Sequence, residues 1–427
     1  MRNHIHFYIS LLTLLSILGA CSNPNRDQRK SSPTQDPYNW PYNQGSEIAF
    51  DQADLDEAWQ QWKSTTITSE NSGGADRLRV MGGVNKESSV SEGIAYGMLF
   101  ATIFDEQDTF EGLWLFASDH LDEYGLMHWW IGNPGELEGK GAATDAEADM
   151  AIALVNACIK VEVAAWAASP QQIDYCQQAT RLINAMWARE VDKPGPDVGL
   201  TNNQGYELIP GGTWNVSDSY SDGIVNLSYF APGYFEVFAK FTDNAGWYDV
   251  IDRQYELTDL VQAKPDNCSG LVPGWINYNG DAQLVPWQEK SYSWWSYDAA
   301  RFAWRVAVDQ LWYERAEAAE TMTEIGSFFA NAGFDRIGEQ SMDGEITGGG
   351  PYTFFIANAA SAVYAAPTLE TISCGVADGS IREDKQSAYN KTLATPHNPP
   401  EYYNDAWRLF SMLVMTGNFP NFYEMAQ

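Results

Sequence analysis

Basic residues are scarce in this chain of 427 residues, which has 25 Lys and Arg against 57 Asp and Glu and a net charge of −32. Because nucleic-acid binding needs basic surface to neutralise phosphate, this shortage disfavours nucleic acid as a partner. The acidity is compatible with a neutral polymer or with a cationic one such as chitosan, although solubility in salty surroundings explains it more simply. Histidine is also scarce, with five residues, and no CxxC or HExxH spacing occurs. We therefore infer no catalytic metal and no cofactor.

Long apolar runs are absent except at the start of the chain. An apolar run over 5–20 follows Arg2, ends in small residues and is short for a membrane span. The four residues 18–21, Leu-Gly-Ala-Cys, resemble the lipobox of bacterial lipoproteins, in which the cysteine is lipidated and becomes the new N-terminus. The pattern predicts a lipoprotein signal peptide over 1–21, with Cys21 as the lipidated residue and simple secretion as the alternative. A lipid anchor in the outer membrane, facing the periplasm or the outside, would then be the contact with a membrane.

Internal repeats and composition breaks are absent from most of the chain. Residues 22–45 are rich in Ser, Pro, Asn and Gln, which predicts a flexible linker. From 46 to 427 the composition is even, which predicts one catalytic domain, and we expect a monomer. An exported chain permits disulfides, and the four remaining cysteines allow three pairings. Cys158 and Cys176 lie on neighbouring predicted helices and could pair, but a buried free thiol at Cys158 is an equal alternative.

Strand-like alternation is scarce, whereas helical spacing of apolar residues is frequent. Helices are predicted near 51–63, 90–104, 107–121, 145–166, 170–189, 228–240, 244–263, 297–310, 314–331, 353–365 and 402–416, with a weaker one near 379–391. The pattern predicts a large all-α domain. A toroid of α/α hairpins is one way to close that many helices, and periodicity alone does not choose it over a bundle or a solenoid.

An acidic cluster opens one of the most apolar of these helices. Thr144 and Glu147 have the spacing of a capping box, so a helix is predicted to begin there. Asp145 would be its first residue, where the helix macrodipole keeps a carboxylate ionised. Acids are common at helix N-termini for structural reasons alone. This helix is too apolar for the surface, however, so a cavity that uses the acid explains Asp145 better.

Two further acids stand at predicted helix starts. Glu92 could form a capping box with Ser89, but Gly93 and Gly97 follow it, and glycine within a helix indicates close approach to the backbone. Asp298 follows a possible cap at Ser296 and precedes Arg301, which would share its helix face. An ordinary Asp–Arg helix pair is the structural alternative, but the neighbouring tryptophans favour a functional role for Asp298. Aromatic residues that suit flat sugar faces are abundant nearby: Trp129, Trp130, Trp214, Tyr229, Trp275, Trp294 and Trp295.

Paired carboxylates without a metal or a cysteine nucleophile fit glycoside hydrolysis. One acid protonates the leaving oxygen while the other activates water or attacks the sugar. Because the sequence does not give the distance between the carboxylates, the residues alone leave a retaining and an inverting mechanism open.

Several ordered motifs make the chain resemble glycoside hydrolase family 8 over most of residues 47–425. They are Ser91-Glu92-Gly93 with Tyr96-Gly97-Met98, Leu126-Met127-His128-Trp129, Ala143-Thr144-Asp145-Ala146-Glu147, Ser228-Tyr229-Phe230-Ala231-Pro232, Tyr297-Asp298-Ala299-Ala300-Arg301, Tyr403-Asn404-Asp405-Ala406-Trp407-Arg408 and Thr416-Gly417-Asn418-Phe419. Two residues depart from the family signature: Glu147 stands where Asp is common, and Val161 where an aromatic is usual.

The resemblance implies an (α/α)6 barrel and an inverting mechanism on β-1,4-linked glycans. By motif, Glu92 is expected to be the general acid, Asp298 the general base, and Asp145 the residue that binds and distorts the sugar at the cleavage point. Arg301 is expected to orient Asp298, Tyr229 to assist at the cleavage point, and Trp129 to stack on a sugar, with Trp214 as a weaker platform. Burial of Glu92 and repulsion from an ionised Asp145 are expected to keep the acid protonated.

The substrate is predicted to be cellulose or mixed-linkage β-glucan, cleaved internally. An Asp at position 298 disfavours the chitosanases of the family, and the residues 143–147 look closer to endoglucanases than to xylanases. Xylanase and chitosanase remain alternatives. A non-catalytic surface lipoprotein that captures glycans is the alternative from another class, but such a protein needs neither Glu92 nor Asp298.

Overall fold

The computed structural model describes residues 41–82, 85, 87–133, 135–194, 205–211, 223–285, 294–347, 352–397 and 402–427. Residues 37–427 belong to one compact unit. The predicted signal peptide, Cys21 and most of the predicted linker lie outside the described residues. Among the described helices, none combines the length and the apolar character needed to cross a bilayer.

Helices dominate the described chain. The thirteen α-helices are α1 Gln52–Thr66, α2 Ser91–Ile103, α3 Gln107–Asp119, α4 Thr144–Glu162, α5 Tyr175–Arg189, α6 Pro232–Thr242, α7 Gly246–Gln262, α8 Tyr297–Tyr313, α9 Ala316–Ala332, α10 Phe354–Ala360, α11 Lys385–Ala394, α12 Tyr402–Met415 and α13 Phe422–Met425. Every predicted helical stretch overlaps one of them, and the short α13 was not predicted. The mostly helical fold is therefore confirmed.

The strands are short and pair only with near neighbours. They are β1 Ile67–Thr68, β2 Arg79–Val80, β3 Ser89–Val90, β4 Trp130–Ile131, β5 Leu137–Gly139, β6 Val191–Asp192, β7 Glu207–Leu208, β8 Val225–Asn226, β9 Trp275–Ile276, β10 Ser373–Cys374 and β11 Ala377–Asp378. All pairs are antiparallel: β1 with β2, β3 with β4 and β4 with β5, β6 with β7, β8 with β9, and β10 with β11. They shape the loops between helices and form no extended sheet.

The even-numbered helices contact one another in chain order, and the last contacts the first. We call this closed series of contacts the ring. Contacts join α2 to α4, α4 to α6, α6 to α8, α8 to α10, α10 to α12, and α12 back to α2. The odd-numbered helices lie against them from outside, with α3 on α2, α5 on α4, α7 on α6 and α9 on α8. Helix α2 is covered by neighbours on every side, since Glu92 is its one residue that is not buried. The core therefore lies between two layers of helices.

The segment before α1 lies at the far end of α12. The Ser46 hydroxyl donates to the carbonyl oxygen of Met415 at 2.6 Å, and the Gln44 N–H donates to that of Gly417 at 2.7 Å. Because α12 begins at Tyr402, this N-terminal arm and the start of α12 are at opposite ends of one helix.

Two disulfides select one of the three possible cysteine pairings. Cys158–Cys176 joins α4 to α5, and Cys268–Cys374 joins the segment after α7 to β10, across 106 residues. The alternative of a free thiol at Cys158 is wrong.

Both predicted capping boxes are also wrong. The N-cap residues of α2 and α4 are Val90 and Ala143, neither with a side-chain capping bond. Thr144 is already helical and donates to the Ile209 carbonyl at 2.7 Å. Glu147 accepts from the Met127 N–H at 3.0 Å, so it holds a different loop. Tertiary contacts have replaced the local capping bonds that the spacing predicted.

Candidate active site

Arg301, in the second turn of α8, lies at the centre of the three predicted acids. Its Nη1 contacts the Oε1 atom of Glu92 and lies 2.6 Å from the Oδ2 atom of Asp145. Its Nη2 donates to the Ser228 hydroxyl at 2.8 Å and lies 3.6 Å from the Oδ1 atom of Asp298. The structure thus places Glu92, Asp145 and Asp298 around one buried guanidinium, with its closest contacts to the first two.

Each of the three acids lies in the first turn of an even-numbered helix: Glu92 on α2, Asp145 on α4 and Asp298 on α8. These helices are neighbours or near neighbours in the ring, so their N-termini meet at one end of it. The side chains of Glu92 and Asp298 keep 18% and 17% of their exposure, whereas that of Asp145 keeps 3%. A substrate can therefore reach the first two acids more easily than the third.

Two tyrosine hydroxyls hold the carboxylate of Glu92. Tyr96, one turn later on α2, donates to its Oε1 atom at 2.6 Å, and Tyr402 donates to its Oε2 atom at 3.0 Å. A Cβ atom at Gly93 would lie 3.1 Å from the Tyr402 ring, so the predicted close approach at that glycine is confirmed. Sequence reasoning gave neither tyrosine a role. The i, i+4 spacing could have pointed to Tyr96, but no local signal points to Tyr402.

Asp298 receives a hydrogen bond from a distant strand. The indole Nε1 of Trp275, on β9, donates to its Oδ2 atom at 3.1 Å. Ser296 is the N-cap residue of α8, but its hydroxyl makes no capping bond. Trp275 was predicted only as one of many aromatic residues, and its contact with the acid was missed.

Asp145 is not the ionised group that its position at a helix start predicted. Burial is the largest influence and raises the pKa of Asp145 to about 7, against the opposing effect of Arg301. Desolvation of a buried carboxylate therefore outweighs the helix macrodipole here. The negative charge of Glu92 also raises this pKa, so the predicted repulsion between the two acids acts on Asp145 as well.

Aromatic rings enclose the guanidinium. Arg301 lies 5.5 Å from the ring centre of Tyr229 and 6.0 Å from that of Tyr403. Burial raises the pKa of both phenols well above the usual value, so both remain neutral donors. The half-buried Trp129 joins the start of α2, because the Ser91 N–H donates to its carbonyl at 3.0 Å. A Cβ atom at Gly139 would lie 2.4 Å from the Trp129 indole, so only glycine fits beside that ring.

Trp214 lies outside the described residues, and its assignment as a sugar platform stays a prediction.

A second arginine–aspartate pair lies one turn deeper. Arg305 donates to both carboxylate oxygens of Asp149, at 2.5 and 2.7 Å, and both side chains are 1% exposed. Both Nη atoms of this guanidinium are therefore bound to its own acid. The three acids around Arg301 share one nearby cation, an excess of negative charge that favours a retained proton or a polar ligand.

The arrangement offers two partly exposed carboxylates, a buried third one and a surrounding set of aromatic rings. Such a site can donate and accept protons at a neutral polar substrate that has flat apolar faces. Among the described residues, the one group of Cys, His, Asp and Glu close enough to ligate a metal is Cys158, Glu162 and Cys176, two of which form a disulfide.

Comparison with known proteins gives a consistent result. The profile of the family described as "Glycosyl hydrolases family 8" matches residues 37–417. Endoglucanase 2 of Ruminiclostridium josui is 35% identical over 400 residues, covering 91% of this chain and 77% of its own. Endoglucanase A of Acetivibrio thermocellus is 33% identical over 395 residues, covering 90% and 74%.

Solved structures share the fold. The apo β-1,3-1,4-glucanase of Paenibacillus sp. X4 superposes with a TM-score of 0.72 at 21% identity, over 89% of this chain and 98% of that one. Rex8A of Paenibacillus barcinonensis, complexed with xylose, gives a TM-score of 0.69 at 19% identity, over 89% and 99%.

Proposed function

Because the chain belongs to glycosyl hydrolase family 8 and is a glycoside hydrolase, we propose that it cleaves β-1,4-linked glucan internally, with inversion at the anomeric carbon. The observation that carries the proposal is the grouping of Glu92, Asp145 and Asp298 around Arg301. Relatives named endoglucanase at 33–35% identity support glucan as the substrate class. We further infer that the closed sequence of contacts from α2 to α12 and back is the inner ring of an (α/α)6 barrel.

In the proposed reaction Glu92 donates its proton to the glycosidic oxygen while Asp298 removes a proton from water on the opposite face of the sugar. The water oxygen bonds to the anomeric carbon as the bond to the leaving sugar breaks. An inverting pair has to stand apart, roughly 6.5–9.5 Å, so that water and sugar fit between the carboxylates. The guanidinium of Arg301 between Glu92 and Asp298 supports such a separation.

The remaining residues bind the sugar and control the protons. Asp145, largely neutral below about pH 7, can donate to or accept from a hydroxyl of the sugar at the cleavage point. Arg301 stabilises the carboxylate that Glu92 becomes after proton transfer, and the two tyrosine hydroxyls on Glu92 do the same. Tyr229 assists at the cleavage point, and Trp129 supplies a flat face for a sugar ring.

Three measurements test the proposal. Reducing ends are assayed on carboxymethylcellulose, barley β-glucan, xylan and chitosan, and release is expected first on the two glucans. Glu92→Gln and Asp298→Asn should each lower kcat about 10²-fold or more, the usual size of a general acid or base contribution. Proton NMR of the first product should show the α-anomer.

Each alternative has its own outcome. Faster release from xylan or chitosan would favour the xylanase or chitosanase alternative. Binding without new reducing ends on any of the four polymers would favour a glycan-capturing protein. A β-anomer as first product would exclude inversion. A Glu92→Gln variant that keeps more than a few per cent of the parent kcat would remove the acid from its proposed role.

We also propose that Cys21 anchors the enzyme to a bacterial outer membrane. Labelling with an alkyne fatty acid in a producing bacterium should mark the native chain but not Cys21→Ala, which should be found outside the membrane fraction. Absence of both chains from the membrane fraction, with no label on either, would favour the simply secreted alternative.

A further inference from the structure

Two glutamates that the proposed reaction does not use lie behind Asp145. Glu147 is on α4 and Glu190 directly follows α5, and both have 0% exposure. The Oε1 atom of Glu147 accepts from the Met127 N–H at 3.0 Å. Its Oε2 atom is buried without a hydrogen-bond partner in the protein. The carboxyl group of Glu190 is equally buried and has the Thr144 hydroxyl beside it, whose proton is donated to the Ile209 carbonyl. Buried carboxyl oxygens are rarely left in this state, so the pair needs an explanation.

The charged groups that face this pair are acids. They are Asp145 from α4 and Asp122 from the turn after α3. Among the described residues, no ion pair joins a basic side chain to Glu147 or Glu190, and the two belong to no group that could hold a metal. Residues 195–204 and 212–222 of the sequence contain no Lys, Arg or His.

Basic side chains near the two glutamates in sequence have other partners. Lys193 donates to the carbonyl oxygens of Trp187 and Val191 at 2.7 and 3.2 Å. The guanidinium of Arg189 lies 3.6 Å from the ring centre of Tyr124. His128 uses its Nδ1 atom to accept from the Gly141 N–H at 3.1 Å. On β7, Glu207 is paired with Arg253 at 2.9 Å.

Two carboxylates buried without a cation are not both ionised. Burial first, and then the negative charge of neighbouring acids, raises the pKa of Glu190 to about 8 and that of Glu147 well above its ordinary value. A neutral carboxyl group of Glu147 keeps its carbonyl oxygen as an acceptor for Met127, and a neutral Glu190 gains an O–H that can donate to the Thr144 oxygen. The two glutamates are thus better satisfied when they hold protons.

The Met127 contact connects this pair to the site. Two residues later, Trp129 donates its N–H to the Gly141 carbonyl at 2.8 Å and accepts from the Ser91 N–H at 3.0 Å. Ser91 is the first residue of α2 and precedes Glu92. The segment held by Glu147 therefore carries the proposed sugar platform and touches the start of the helix that carries the proposed acid.

We propose that Glu147 is a positioning residue that, as a neutral carboxyl group paired with Glu190, holds the segment Met127–Trp129 in place for sugar binding. The proposal rests on the proposed function, because it assigns the segment to the sugar site. Ionisation of the pair in alkaline solution would separate the two glutamates and release the segment.

The pH dependence has a definite sign. A carboxyl group with a pKa raised by folding binds its proton more tightly in the folded chain than in the unfolded chain. For Glu190, this contribution to stability is complete below about pH 4.5 and is lost as the pH rises through about 8. Glutamine has the shape of a neutral glutamic acid and does not ionise, so it is the conservative replacement.

The experiment compares Glu147→Gln and Glu147→Ala with the parent. Glu147→Ala is expected to lower kcat/KM on barley β-glucan roughly tenfold near neutral pH, mainly through KM, the size expected of a buried N–H left without its acceptor. Glu147→Gln should recover most of that loss. Glu136→Gln, an exposed residue in the loop between β4 and β5, is the matched control and should follow the parent at every pH.

Oligosaccharide binding separates this pair from the general acid. In the Glu92→Gln background the acid no longer titrates, and the affinity for a β-1,4-gluco-oligosaccharide is measured by calorimetry across neutral and alkaline pH. Affinity should fall as the pH passes about 8, the pKa of Glu190, and this fall should be absent when Glu147→Gln is added. Identical alkaline profiles with and without Glu147→Gln would overturn the proposal, as would failure of Glu147→Gln to recover the loss seen in Glu147→Ala.

Amide exchange gives a readout that does not depend on substrate. In the parent, the peptide containing Met127 should lose protection above about pH 8 after correction for intrinsic exchange, and in Glu147→Gln it should not. If the chain neither binds nor cleaves glucan, the proposed function fails while this exchange result still decides the role of Glu147. Equal protection in both chains across the range would overturn the role itself.

Discussion

The same two helices, α4 and α8, make two arginine–aspartate contacts one turn apart, and the two differ in charge balance. The deeper contact is one guanidinium on one carboxylate, with both side chains 1% exposed. The contact nearer the N-termini of the helices, which we call the upper contact, joins Arg301 to Asp145, Glu92 and Asp298. Two of these three acids are partly exposed. A balanced buried pair has no reason to take up a proton or a ligand, whereas an acidic excess beside solvent has both. The comparison indicates that reactivity here depends on how many acids share the cation.

The largest expected effect separates the two arginines by activity. Arg301→Met leaves three acids without their cation, so kcat should fall about 10²-fold or more, the loss typical of removing one preorganised donor from a reacting centre. The unfolding free energy should change less than it does in Arg305→Met. Steady-state kinetics on barley β-glucan and urea unfolding of both variants test this. Comparable kcat in Arg301→Met and the parent would contradict it.

The second expected effect concerns the deeper pair and stability. Arg305→Met leaves Asp149 buried without a partner, which should cost about 3–5 kcal/mol of unfolding free energy. Urea unfolding monitored by tryptophan fluorescence measures the loss. An exposed ion pair contributes about 1 kcal/mol or less. A loss of unfolding free energy no larger than that would show that the pair is not isolated from water.

A smaller effect is expected when both members of the deeper pair are replaced. Asp149→Leu with Arg305→Met removes both charges, so the variant should recover at least half of the stability lost in Arg305→Met alone. The matched double replacement at the upper contact, Asp145→Leu with Arg301→Met, should recover no activity. If the lower double variant were less stable than Arg305→Met, the charge argument would fail.

The smallest expected effect concerns the tyrosine that holds Glu92. Tyr402→Phe removes one hydrogen bond to a charged group, worth about 1.5–3 kcal/mol in a buried setting, and keeps the ring that packs on Gly93. We expect kcat to fall roughly tenfold and the alkaline limb of the pH–rate profile to move to higher pH, because the carboxylate form of Glu92 loses a hydrogen-bond donor. The pH dependence of kcat/KM in parent and variant measures the shift. An unchanged profile would confine Tyr402 to packing.

The predicted helices and the three acids follow from local patterns, and the structure brings Glu92, Asp145 and Asp298 together. Apolar spacing is a short-range property, so it located α2, α4 and α8 well. The two predicted capping boxes are absent because Ser89 lies in β3 and Glu147 accepts a hydrogen bond from Met127. Both arrangements depend on the packed fold. Tyr402 and Trp275 were missed for the same reason, since they reach the acids from 310 and 23 residues away. Contacts between residues far apart in the sequence produce no periodic pattern from which they could be predicted.

Electrostatics proved the least predictable part of the site. At Asp145 the sequence shows a helix start, which predicts an anion, but only the fold shows that 2% of the residue is exposed. Likewise, nothing in the spacing of Glu147 and Glu190 predicts that two distant glutamates share one buried environment. Burial depends on every neighbour at once, and for a carboxyl group it decides the charge.

The N-terminal arm and the proposed general acid lie at opposite ends of α12. The arm joins the ring beside Met415 and Gly417, at the C-terminal end of α12, whereas Tyr402 at its other end contacts Glu92. A 14-residue helix separates the two ends by roughly 21 Å. Gln44 and Ser46 therefore contact the domain about one helix length from Glu92, so this arm does not cover the proposed general acid.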